Sequence, residues 1–182
     1  MQPIKRLSQI LADLIDPDHY LFTLSDLRAA LPDLSSATFK VLLSRAERSG
    51  LIQRVCRGVY LYDRIPYPSG LVLFHTASRL RADCFSYISL ETALSDAGII
   101  SQVPINWITL MTSGRSGIIR CGNWGTIEYV HTRKRPEVLQ DQLRYDRNCR
   151  NWRASVRLAL IDMRDARRNM DLVDRSVVDE LI

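Results

Sequence analysis

Long hydrophobic runs are missing from this chain. No stretch reaches the roughly 18 apolar residues that a bilayer span requires, and the apolar segment nearest the N-terminus is interrupted by Lys5, Arg6, Asp13 and Asp16. That interruption is unlike a secretory leader, so the expected setting is cytoplasmic, with no membrane partner. Cysteine is sparse: Cys56, Cys84, Cys121 and Cys149 lie far apart, with no CxxC and no Cys–His spacing. This excludes a zinc ribbon and a disulfide framework, and the four read as free thiols. The glycines between Ser113 and Gly125 form neither GxxxxGK[ST] nor GxGxxG, so a phosphate-cradling loop is absent and they read as turn formers.

Catalytic patterns are missing as well. His75 and His131 sit in apolar or strand contexts, where packing and hydrogen bonding account for them. Glu91 falls in the first turn of an expected helix, where its charge suits the helix dipole, and no second carboxylate is placed beside it. No catalytic residue, metal or cofactor is therefore expected.

What is present is ordinary globular composition with a basic bias. The 182 residues are 46% hydrophobic, enough for one large domain or two small ones. The net charge is +5 with a pI near 9.2, which favours an acidic partner. The bias is concentrated between residues 133 and 168, where eleven Lys or Arg face five Asp or Glu.

The most informative stretch is 23–62, TLSDLRAALPDLSSATFKVLLSRAERSGLIQRVCRGVYLY. Thr23 or Ser25 suits a helix cap, and Pro32 stops that helix. Ser35 or Ser36 opens a second helix, with Phe39, Leu42, Leu43 and Ala46 on one stripe. Its other face then carries Ala37, Val41, Ser44 and Arg48, flanked by Lys40 and Arg45. Gly50 closes the helix, and LIQRV and GVYLY read as two short strands around Cys56, Arg57 and Gly58, with Arg54 and Arg57 decorating the hairpin. Helix, turn, helix and basic hairpin in this order predict a winged helix-turn-helix that reads duplex DNA. The expected contact residues are Ser36, Lys40, Ser44, Arg45, Arg48, Arg54 and Arg57, although exposed cations are also ordinary on a solvated face.

Before this stretch, IKRLSQILADLI predicts a helix with Ile4, Leu7, Leu11, Leu14 and Ile15 on one side. After it, RIPYPSG reads as a linker. The expected organisation is a DNA-binding domain over 1–64, a linker over 65–70 and an α+β domain over 71–182 with a small, partly antiparallel sheet. In the second domain Leu71–Cys84 looks helical, and YISLETALSDAG reads as a strand end and a helix capped by Ser89 and closed by Gly98. WITLMT and TIEYVHTR read as strands, with a short strand at 117–120 between them. From Pro136 the chain turns helical again, with a further helix over 155–168, buried through Val156, Ala159, Leu160 and Met163, and a short terminal helix. Arg144, Arg147, Arg150, Arg153 and Arg157 recur every three or four residues, which aligns them on a continuous helix unless Asn151 and Trp152 break it. With Arg164 they define an expected C-terminal basic surface of Arg144, Arg147, Arg153, Arg157 and Arg164, open to DNA, RNA, an acidic protein or water alone.

RVCRGVYLY, then YISLETALSDAGII, then WITLMT with TIEYVHT, then RASVRLALIDMRD, give the chain an order that resembles the AbiEi family of bacterial antitoxins over most of its length. The resemblance implies a type IV toxin–antitoxin role. The N-terminal domain would bind operator DNA and repress its own operon, and the C-terminal domain would counteract a nucleotidyltransferase-like toxin without a stable complex. On DNA the protein would act as a monomer or a dimer. One departure stands out: where the family places Glu-Lys-Ala-Leu, this chain has Ser155, Val156, Arg157 and Leu158 onward, with Arg157 in the lysine's place and no glutamate. Two other classes fit the composition. A ligand-responsive regulator predicts an apolar pocket beside Trp107 or Trp124, and a DNA-targeted enzyme predicts turnover that depends on Glu91 or His131.

Overall fold

The computed structural model describes residues 2–101 and 105–181. It divides into two compact units, Met1–Val72 and Leu73–Ile182.

The first unit runs α1 (Pro3–Leu14), β1 (Leu21–Thr23), α2 (Leu24–Ala30), α3 (Ser36–Arg48), β2 (Gln53–Cys56) and β3 (Val59–Leu61). Pro3 opens α1, a position where its missing N–H costs no helical hydrogen bond. Leu7 and Leu11 are fully buried, with Ile4, Ile10 and Ile15 packed beside them. Leu14, expected on the same stripe, is exposed instead, at the last residue of the helix. Phe22, Leu27, Leu31, Phe39, Leu42, Leu43 and Ala46 complete the core.

β1 was not legible as a strand. Its residues Leu21 and Phe22 are both buried, so the alternation that marks a half-exposed strand is lost over three residues. It pairs antiparallel with β3, which also pairs with β2, giving the order β1-β3-β2. The central β3 is buried throughout.

The second unit contains α4 (Val72–Leu80), β4 (Ser86–Ile88), α5 (Leu90–Asp96), β5 (Trp107–Thr112), β6 (Gly117–Arg120), β7 (Thr126–His131), α6 (Pro136–Leu139), β8 (Leu143–Asp146), β9 (Asn151–Ala154), α7 (Val156–Asp165) and α8 (Arg175–Leu181). Six strands form one mixed sheet in the order β6-β7-β5-β4-β9-β8. β5 with β7 and β4 with β9 are parallel; the remaining pairs are antiparallel. The protein is thus α+β.

Two expectations are corrected here. The helical reading after Pro136 holds for one turn only: residues 143–154 form the β8–β9 hairpin, so the arginine series does not share a helix face. Ser89 occupies the position before α5 but makes no capping bond; its hydroxyl donates to Asp162 (2.7 Å), and Leu90 adopts φ +55°. Ser155 does cap α7, accepting from the Leu158 amide (3.2 Å). Leu158, Ala159, Leu160 and Met163 are buried on α7, whereas Val156 is half-buried.

Candidate nucleic-acid interface

The site in the first unit begins with how α2 and α3 are fixed. Thr23 and Asp26 form a reciprocal cap: the Thr23 hydroxyl accepts from the Asp26 amide (3.1 Å), and the Asp26 carboxylate accepts from the Thr23 amide (2.7 Å). Past Pro32, Ser35 caps α3 by accepting from the Thr38 amide (3.2 Å). Arg28 secures the turn between the helices, donating to the Leu34 carbonyl (2.6 Å) while its guanidinium lies 5.3 Å from the centre of the Phe39 ring. Sequence reasoning passed over Arg28, because a cation in a short helix carries no local sign of a partner six residues away. At the far end of α3, the Gly50 amide bonds to the Glu47 carbonyl (3.1 Å) and the Leu51 amide to the Ala46 carbonyl (2.9 Å), the paired closure of a Schellman motif.

With both ends fixed, α3 has two distinct sides. Phe39, Leu42, Leu43 and Ala46 are buried, whereas Ser36, Ala37, Lys40, Val41, Ser44, Arg45 and Arg48 are exposed. Val41 is 49% exposed, so even the apolar member of that outer side is left open. Between α2 and α3 a groove of about 630 Å³ is lined by Leu24, Ser25, Arg28, Ser36, Phe39 and Lys40 among others.

The hairpin adds the remaining candidates. Cys56 pairs with Val59 across a two-residue turn, Arg57-Gly58, and the register slips at Val55. Gly58 has φ +85°, a conformation that L side chains rarely adopt, which explains glycine as the second residue of so tight a turn. Its carbonyl accepts from the Leu24 amide (2.9 Å), tying the turn to the start of α2. Arg54 crosses the slip to donate to the Cys56 carbonyl (3.4 Å), and Arg57 is exposed at the tip. Residues 35–61 hold five cations and one acid, Glu47. Lys40, Arg45, Arg48, Arg54 and Arg57 make no ion pair among the described residues; Arg48 bonds only to the Ser44 carbonyl of its own helix (3.3 Å).

The candidates of the second unit separate into two kinds. Arg153 is held internally by Asp96 and by Asp146 (3.0 Å), and so belongs to the structure of the hairpin. Arg144 and Arg147 on the hairpin and Arg157 and Arg164 on α7 are exposed. Arg144 lies opposite Arg153 in the strand register. His75 bonds to the Asn148 carbonyl (2.7 Å) and His131 Nδ1 to the Gly114 carbonyl (2.8 Å); Glu91 pairs with Arg168 (3.5 Å). Trp107 donates its indole N–H to Glu128 (3.1 Å).

The most buried charge of this unit was not anticipated. Asp162 is fully buried on α7 and accepts from Ser89 and from Lys134 Nζ (2.6 Å), which also reaches Asp165 (2.7 Å). The late Asp in the family-like segment was visible in sequence, but its partners lie 28 and 73 residues away.

Among the described residues, no group of three or more His, Cys, Asp or Glu side chains is placed to hold a metal ion. No described helix is long and apolar enough to cross a membrane. No curated protein matches the chain. Residues 9–62, which span the second half of α1, the helix-turn-helix and the hairpin, match the family model described as transcriptional regulator, AbiEi antitoxin.

Proposed function

We propose that the protein is an antitoxin that binds operator DNA through its first unit and represses its own operon, while its second unit counteracts a nucleotidyltransferase-like toxin without a stable complex. The observation that carries the DNA reading is the outer side of α3. Ser36, Lys40, Ser44, Arg45 and Arg48 are exposed together on a helix whose other side is packed, and no carboxylate neutralises the cations. A helix held in this way enters a major groove, and Arg54 and Arg57 on the hairpin meet the flanking backbone. Repression then follows from promoter occlusion and needs no catalytic group.

The test is a titration of the full chain against the DNA upstream of its gene at several salt concentrations. About four phosphate contacts per protomer from Lys40, Arg45, Arg48, Arg54 and Arg57 give a slope of log affinity on log salt of roughly −3 to −4. A slope near zero, or wild-type affinity in a Lys40→Ala/Arg48→Ala variant, would overturn the reading. The toxin half is tested by co-expression: a nucleotidyltransferase-like protein encoded beside the gene should arrest growth alone and not with this chain. Growth arrest that persists in its presence would count against an antitoxin role.

A further inference from the structure

The β8–β9 hairpin carries Arg144, Arg147, Arg150 and Arg153 against one acid, Asp146. That acid is already committed, to Arg153 and to the Cys149 amide (3.0 Å). Arg144 and Arg147 stay exposed and make no ion pair among the described residues.

Tyr145 and Trp152 stand directly opposite one another in the register, with ring centres 5.4 Å apart in an edge-to-face arrangement. They are 48% and 43% exposed, on the edge strand of the sheet and its neighbour. Contact between the rings supports the hairpin, yet such support does not require either ring to keep so much surface in water. Side chains alternate along a strand, so Arg144 projects from the opposite face of β8 to Tyr145. Beside them a groove of about 450 Å³ is lined by Arg144, Tyr145, Asp146, Arg147, Asn148 and Arg153.

We propose that this hairpin is a binding site for single-stranded nucleic acid, with unstacked bases on Tyr145 and Trp152 and the backbone phosphates on Arg144 and Arg147. Open aromatic faces with unpaired guanidinium groups around the same exposed strand edge are the chemistry by which single strands are held without sequence readout. In a duplex the base faces are already stacked on one another, so these rings gain nothing from it. This proposal rests on a different unit and different residues from the operator-binding reading, so either can fail alone.

The experiment uses the full chain with fluorescein-labelled oligo(U) and oligo(dT) 15-mers, and a mixed-sequence duplex of equal length. Wild type should bind at least one of the single strands, and the stronger of the two identifies RNA or DNA as the source. Tyr145→Ala and Trp152→Ala should each weaken that binding by at least about fivefold. Trp152→Phe should retain most of it, and all three should leave duplex binding unchanged. Arg144→Ala/Arg147→Ala should reduce the salt slope by about 1.4.

No single-strand binding at moderate salt would overturn the proposal, as would wild-type affinity in the Tyr145→Ala/Trp152→Ala double variant. If an alanine variant melts early, Trp152→Phe decides, and loss of binding in that folded variant counts against stacking. A change of subunit number in Trp152→Ala by light scattering would assign the face to an interface between copies and reject the nucleic-acid site.

Discussion

Lys134 and Asp162 form an ion pair of 2.6 Å in which the carboxylate is fully buried and the ammonium is only partly so. Ser89 supplies a second hydrogen bond to the same carboxylate, so the junction of β4 and α5, the segment after β7, and α7 converge on one charge. Removing one partner leaves an uncompensated buried charge, whereas replacing both with apolar residues does not. Lys134→Met should therefore cost about 3–5 kcal/mol, and Lys134→Met/Asp162→Leu less than the single change. Urea denaturation of both variants measures the difference.

The pair also has a pH signature. Burial alone would lower the Lys134 ammonium, but hydrogen bonds to Asp162 and Asp165 outweigh it and raise it above the ordinary lysine value. A cation with a raised folded value contributes its stability fully below the ordinary range and loses it as the pH climbs through the raised value. Wild type should lose stability in strong alkali by a step that Lys134→Met lacks. Thermal melting over the alkaline range reads this step.

Asp146 gives the opposite sign. Burial on its own would raise its carboxyl, but the Cys149 amide and the Arg153 guanidinium together hold it below the usual carboxylate range. Its contribution is present above that range and fades as the pH falls through the lowered value, below about pH 4. Asp146→Asn should be less stable at neutral pH and should flatten this part of the acid limb. Amide exchange across residues 143–154 localises the effect to the hairpin.

Gly125 separates shape from chemistry in the loop between β6 and β7. It adopts φ +120°, and a Cβ there would lie 2.1 Å from the Asn106 carbonyl oxygen. Gly125→Ala should destabilise by about 2–4 kcal/mol, combining backbone strain with overpacking. Gly70 has neither a positive φ nor a neighbour within 4 Å of such an atom, so Gly70→Ala should be close to neutral. Paired melting curves compare the two.

In the first unit, Thr23→Ala removes one half of the reciprocal cap on α2 and should cost about 1 kcal/mol of stability while preserving α3 and its cations. Lys40→Ala should do the reverse, weakening DNA binding with stability within about 0.5 kcal/mol of wild type. Melting and DNA titration of both variants distinguish the two effects.

These contrasts also explain what could be read in advance. The caps at Thr23 and Ser35, the α3 stripe and the closure at Gly50 are local, and each depends on residues within a few positions, so the sequence displayed them. Residues 143–154 were read as continuing the helical stretch from Pro136, with their arginines aligned unless Asn151 and Trp152 broke the helix; what puts Tyr145 and Trp152 on one face is the cross-strand register, which no local period displays. Burial of Ser89 against Asp162 lay beyond reach, since a serine ahead of a helix ordinarily caps it and the partner that draws it away is 73 residues distant. Arg153 illustrates the same limit for charge: composition counts it as free, and only the fold joins it to Asp96 and Asp146.

The bond from the Leu24 amide to the Gly58 carbonyl has a consequence for how the first unit meets a surface. With only Arg57 and Gly58 beyond the paired strands, and that turn fastened to the base of α2, the hairpin cannot swing as a separate arm. Helix and tip present a template of fixed curvature, so little disorder remains to be quenched when a partner arrives. If the partner is the proposed operator, any mismatch in shape must be absorbed by the DNA, and sequences that bend easily gain an advantage at positions the protein never touches.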